Sequence, residues 1–167
     1  MKNKKGFTLV ELLAAMVILG LIMAIAIPNI MGVLKSNREK IYVEDAKRLS
    51  ALAEYKFKGD STIVKPTEIY QCTVLPLSYL DNGEFEKAPD GKPYDKNKSF
   101  VTIKKEDSKY IYYVTLTDSS NKGIEYKKTD ELNINKPSDL ITQNVSITYN
   151  HATVSGKCTC TINNACY

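Results

Sequence analysis

The chain has 167 residues, 43% of them apolar, which is enough for one globular unit plus an extension. Of its formal charge of +4, Lys2, Lys4 and Lys5 supply three charges ahead of an apolar run, so the remainder is nearly neutral and gives no case for nucleic-acid binding. Arginine occurs only at Arg38 and Arg48 among the basic residues, a usage that suits a gene of low G+C content.

From Leu12 to Leu34 no residue is ionisable. A helix there would be about 34 Å long, enough to cross a bilayer core. The lysines ahead of it favour a cytoplasmic N-terminus, with everything after residue 35 outside, while Lys35, Arg38 and Lys40 just beyond the run weigh against that orientation. Glu11 is a carboxylate at the mouth of the run, and three readings account for it. In the first, the segment is a secretory signal peptide cut after Ala26, at Ala24-Ile25-Ala26, which releases a soluble binding domain. In the second it is a plain anchor, with Glu11 near the interface, where a charge costs far less than the ~2.5 to 3.5 kcal/mol of the helix centre. In the third, cleavage between Gly6 and Phe7 creates an amino group one helical turn before Glu11. That ammonium, on the same subunit or a neighbour, neutralises the carboxylate in lipid.

The stretch KKGFTLVELLAAMVILGLIMAIAIPNI resembles the class III leader and N-terminal helix of type IV pilins and pseudopilins. Lys4, Lys5 and Gly6 match the end of the leader, Phe7 the N-methylated first residue, Glu11 the fifth position of the mature chain, and Pro28 the helix-bending proline. The likeness covers roughly residues 1–35, and nothing from Asp60 onward carries it with comparable specificity. It implies a prepilin peptidase, an intramembrane aspartyl protease that cuts after Gly6, where no side chain crowds the scissile bond, and methylates Phe7. It further implies an inner-membrane platform and a cytoplasmic ATPase that lift each subunit into a filament with copies of itself and other pilins. Glu11 then sets the register by seeking the Phe7 ammonium of the adjacent subunit. The protein would sit in the cytoplasmic membrane with its head outside and then in an extracellular pilus serving adhesion, surface motility, biofilm formation or DNA uptake. The alternative within the resemblance is a pseudopilin of a type II secretion or competence machine, which a single-membrane bacterium would make less apt.

Pro28 removes one backbone hydrogen bond, which predicts a kink or local melting near Ala24 to Pro28, with Gly20 and Gly32 loosening the same stretch. Beyond it Tyr42, Ala46, Leu49, Ala53 and Phe57 recur at helical spacing, with Lys40, Glu44, Lys47, Arg48, Glu54 and Lys58 on other faces, and Gly59 is the expected stop. One rod from Phe7 to Lys58 would span roughly 78 Å. The segments are then a leader (1–6), an apolar assembly helix (7–34), its amphipathic continuation (35–58), a connecting region (59–98) and a sheet head with a C-terminal disulfide region (99–167). Pro66 to Leu80 reads as a connecting loop with a short helix, stopped at Asp81-Asn82-Gly83. Alternation predicts strands in Phe100 to Ile103, Tyr110 to Thr117 and Gly123 to Tyr126, joined by turns at Glu106 to Lys109 and Asp118 to Lys122. Val145 to Tyr149 and Val154 to Ile162 are further strand candidates. The fold class is α+β: a long N-terminal helix packed on an antiparallel sheet head, a lollipop.

Cys72, Cys158, Cys160 and Cys166 all fall on the exterior side, where disulfides persist. Cys158 and Cys160 are two apart on a candidate strand, so a bond between them would be strained. Cys72 then bridges to one of them and Cys166 to the other; the favoured pairing is Cys72 with Cys158 and Cys160 with Cys166. A zinc site is the competing reading, but the usual CxxC pairs are absent. No catalytic constellation is recognisable, so the chain reads as a structural protein rather than an enzyme, and it calls for no cofactor. His151, the single histidine, lies in a turn without a paired nucleophile. Asp81 to Glu84, Asp90-Gly91 and Asp95 have the composition of a calcium loop without EF-hand spacing, and turn chemistry explains them. The sequons at Asn97 and Asn144 read as chance matches in a bacterial protein, and the tyrosines as core and cross-strand residues.

Overall fold

The computed structural model describes residues 7–68 and 71–146. Helix α1 runs Leu9–Gly59, followed by strand β1 (Cys72–Pro76), the short helix α2 (Leu77–Leu80), β2 (Phe100–Glu106), β3 (Lys109–Thr117), β4 (Gly123–Lys128) and β5 (Ile141–Thr142), with 3-10 turns at Thr129–Glu131 and Pro137–Asp139. The chain divides into two compact units, Met1–Asn37 and Arg38–Tyr167.

In the first unit the helix carries Leu9, Val10 and the apolar residues from Leu12 to Leu34 on an open surface, each large one about half exposed or more. The helix passes through Pro28 without a break. Proline removes a single amide donor, and the helical assignment continues on either side of it.

Among the described residues of the second unit five strands form one sheet in the order β1-β2-β3-β4-β5, every neighbouring pair antiparallel. One face packs on the C-terminal part of α1. Tyr42, Ala46, Leu49, Ala53 and Phe57, the expected stripe, are all buried, and Val43 joins them. They meet Leu75, Val101, Ile103, Val114, Leu116 and Ile124 from the strands and Leu77, Leu80, Phe85 and Tyr94 from the connecting region. The Phe57 ring stands edge-on to Tyr110 and Tyr112, with centroids 4.9 Å and 6.3 Å away.

Asp107 takes φ 54° in the two-residue turn between β2 and β3, and Asn121 takes φ 62° between β3 and β4, both at the predicted turns. Gly123 is required by close approach: a Cβ there would lie 1.9 Å from the Leu116 carbonyl oxygen. Two expectations are corrected. Cys72–Pro76 is strand rather than connecting loop; it is buried on both sides, so no polar alternation marks it, and Pro76 sits at its end on the edge of the sheet, where a missing donor costs no ladder bond. Val145 and Ser146 are not strand: the Val145 amide donates to the Asn121 carbonyl in a loop contact. Residues 147–149 and the candidate strand Val154 to Ile162 lie outside the described residues.

Candidate functional site

The chemistry of the N-terminus is set by the first turn of α1. Thr8 precedes the helix and Glu11 is its third residue, a T-x-x-E spacing that matches a reciprocal cap. The Glu11 amide donates to Thr8 Oγ1 at 3.3 Å, while the Thr8 amide and the Thr8 hydroxyl both donate to Glu11 Oε2 at 2.8 Å. The Leu12 amide closes the first backbone bond onto the Thr8 carbonyl at 3.2 Å. Glu11 therefore caps its own helix with one carboxylate oxygen, and the other oxygen has no partner among the described residues. Thr8 is the residue that reading the sequence for charge passed over. The signal was present in Thr8-Leu9-Val10-Glu11, ahead of an apolar run.

Phe7 lies outside the helix, two residues before its start, and is 89% exposed. Gly6, the other half of the expected cleavage site, lies outside the described residues. The apolar part of α1 is long and apolar enough to cross a membrane.

The remaining candidates sit apart from this terminus in sequence. Cys72 is buried at the start of β1 and is not a free thiol; Cys158, Cys160, Cys166 and His151 lie outside the described residues. The aspartates that suggested a calcium loop act in turns and ion pairs. Asp81 Oδ1 accepts the amides of Gly83 and Phe85 while its other oxygen meets Lys96 Nζ at 2.6 Å. Asp95 Oδ1 accepts the amides of Asn97 and Lys98. Asp90 belongs to a polar cluster that joins α1 to the β3–β4 turn. The Tyr42 hydroxyl lies 2.9 Å from both Asp90 Oδ1 and Asp118 Oδ2, and Lys122 Nζ reaches Asp90 Oδ2 at 3.0 Å. Burial opposes charge on Asp118, but hydrogen bonds from Ser120, Tyr42 and the Lys122 and Ser120 amides outweigh it and hold the carboxyl below its ordinary value. Asp90 is held low in the same way, with Lys122 and Tyr42 overcoming burial. Among the described residues no three His, Cys, Asp or Glu side chains are grouped as a metal site.

The family model for the prokaryotic N-terminal methylation motif matches residues 1–27. The "Type II secretion system core protein G" of Aeromonas hydrophila is 31% identical over 107 residues, covering 56% of this chain and 72% of that protein. No solved structure is a significant match. An N-terminal methylation motif that leads into a capped apolar helix, a long helix followed by an antiparallel sheet, and a relative matched over most of its length place this chain in the family of type IV pilins and pseudopilins.

Proposed function

We propose that the protein is a type IV pilin subunit, a structural component rather than an enzyme, cut after Gly6 and assembled through the apolar part of α1 into an extracellular filament. Prepilin peptidase removes residues 1–6 and methylates Phe7; platform and ATPase then draw the subunit from the cytoplasmic membrane into a polymer with copies of itself and other pilins. The observation that carries the reading is Glu11 within the matched methylation motif, with one carboxylate oxygen tied to Thr8 and the other open to an ammonium. On the adjacent subunit that ammonium is Phe7. Each contact between subunits then neutralises a charge that lipid penalises and supplies a register that apolar packing lacks. Pro28 is the point where the helix gives way as the filament stretches, since one amide there has no hydrogen to donate. Cys72 with Cys158 and Cys160 with Cys166 staple the head against load. Adhesion, surface motility, biofilm formation and DNA uptake are the roles open to such a filament.

The test is the mass of the mature N-terminal peptide from native cells. A peptide that starts at Phe7 and is heavier by one methyl group is expected; one that starts at Ile27 overturns the reading in favour of a secreted domain. A second reading, a pseudopilin of a type II secretion machine, is favoured by the likeness to core protein G. Deletion of the gene separates the two: loss of sheared surface filaments with normal protein export marks the pilin, and loss of export without surface filaments marks the pseudopilin.

A further inference from the structure

Asparagine followed by glycine occurs once in the chain, at Asn82-Gly83, and every other asparagine is followed by a residue with a side chain. The pair is chemically weak. A backbone amide can attack the carboxamide of the asparagine before it and close a five-membered imide; a side chain on the attacking residue obstructs that closure, and glycine has none. Nothing in the fold obstructs it either. Asn82 and Gly83 are exposed in the turn that follows α2, Gly83 takes φ 99°, and a Cβ built on it would meet no atom within 4 Å.

Both reacting groups are nevertheless held, each by a carboxylate. The Gly83 amide, the nucleophile, donates to Asp81 Oδ1 at 2.9 Å, and the Asn82 carboxamide donates from Nδ2 to Glu84 Oε1 at 3.1 Å. The attack needs the Gly83 amide to give up its proton, and an anion in direct contact with that N–H opposes the loss, because a second negative charge would form beside it. Asp81 is not free to swing aside. Its side chain is 3% exposed, its Oδ1 also accepts the Phe85 amide at 3.2 Å, and its Oδ2 meets Lys96 Nζ at 2.6 Å. Burial pushes the Asp81 carboxyl upward, but Lys96 and the Phe85 and Gly83 amides outweigh it and hold it below its ordinary value, so it is ionised at neutral pH. Glu84 is exposed and makes the longer contact, which leaves Asp81 as the stronger restraint.

We propose that Asn82 is a spontaneous modification site of the head, converted to aspartate or isoaspartate, and that Asp81, anchored by Lys96, is the lock that sets its rate. The Gly83 nitrogen bonds to Asn82 Cγ and loses its proton to solvent, and the carboxamide nitrogen takes a proton back and leaves as ammonia. Water then opens the imide. Attack at Cγ breaks the Cγ–N bond and gives aspartate; attack at the Asn82 main-chain carbonyl breaks the C–N bond there and gives isoaspartate. Nothing is oxidised or reduced, one water is consumed and one ammonia is released. Either product puts a carboxylate into the turn where a hydrogen bond to Glu84 stood, and isoaspartate adds a carbon to the main chain just ahead of the buried Phe85. Subunits that outlive the lock therefore carry a permanent chemical mark on an exposed turn. The inference holds for whichever member of the family the protein is.

The test follows Asn82 by peptide mass mapping of the full chain kept in mildly alkaline buffer, with urea midpoints to show that each variant folds. Conversion is read as the mass gained when a carboxamide becomes a carboxylate, and isoaspartate by its altered fragmentation. In the native chain, conversion at Asn82 is expected to be at least about tenfold slower than in a synthetic peptide of residues 80–87. Asp81→Ala is expected to restore at least about tenfold in rate. Lys96→Met, which keeps Asp81 but frees it, is expected to give about threefold. Both accelerations should fall on Asn82 and not on exposed Asn97. Equal rates in the chain and the peptide, an unchanged rate in either variant, or conversion that begins at Asn97 would overturn the proposal. If Asp81→Ala does not fold, Lys96→Met decides, since the Lys96 side chain is half exposed and its loss leaves the core intact.

Discussion

Replacing Tyr42 with phenylalanine isolates the polar cluster that ties α1 to the head. The ring stays in the core against Tyr94, so the change removes only the hydroxyl placed 2.9 Å from both Asp90 and Asp118. A phenol has one proton to donate, so the loss is one charge-assisted hydrogen bond rather than two, or about 2 kcal/mol. With about 2.1 cal/mol/K per residue over the roughly 130 residues from Arg38, that lowers Tm by about 7 °C. The loss also carries a pH signature. Both carboxyls sit below their ordinary values in the folded head, so their contribution is fully present above the unfolded carboxylate value of about 3.9 and fades as pH falls through the lower folded values. Urea unfolding of the head unit with and without Tyr42→Phe, at pH 7 and at about pH 2.5, is the assay. A difference below about 0.5 kcal/mol at pH 7, or an undiminished difference in acid, would refute the reasoning.

Gly123→Ala is expected to cost at least about 3 kcal/mol or to prevent folding, because the new Cβ would sit 1.9 Å from a backbone oxygen of β3 that cannot swing aside; a urea midpoint close to that of the native head would contradict this. Thr102→Val should stabilise the head by about 1 kcal/mol, since the buried Thr102 hydroxyl has no hydrogen-bond partner among the described residues and valine keeps the shape; a lower midpoint would reveal a partner for the hydroxyl. The Asp60 carboxyl is held down to about 2 by the Thr62 hydroxyl first, then by the Tyr79 hydroxyl and the Thr62 amide, so Tyr79→Phe should move its NMR titration upward. An Asp60 curve that does not move would assign the effect to Thr62 and the nearby Lys56 charge instead.

Elements with a strong local signal were legible. The stripe from Tyr42 to Phe57, the stop at Gly59 and the β2–β3 and β3–β4 turns all rest on periodicity or turn chemistry within a few residues. The short helix Leu77–Leu80 and its stop at Asp81 likewise follow from residues close at hand. β1 was not legible, because burial on both faces erases alternation and Pro76 argues locally for a loop. β5 is two residues long, below the length at which a pattern exists. The Tyr42 cluster depends on partners 48 and 76 residues away, a juxtaposition that only the folded sheet creates. At the N-terminus the reverse occurred: the cap was written in Thr8-Leu9-Val10-Glu11, but attention to the cost of the charge hid its nearest partner.

The strand order has a consequence for how the head comes into being. Among the described residues each strand pairs with its immediate successor in the chain, so none of these strands waits for a later one to be inserted between itself and its neighbour. Such a meander can be laid down hairpin by hairpin as the polypeptide emerges from N- to C-terminus, and the loops closed at each step are short compared with those of a crossed topology. Translocation and folding can therefore proceed in the same direction, with β1 as the template on which the rest of the sheet grows.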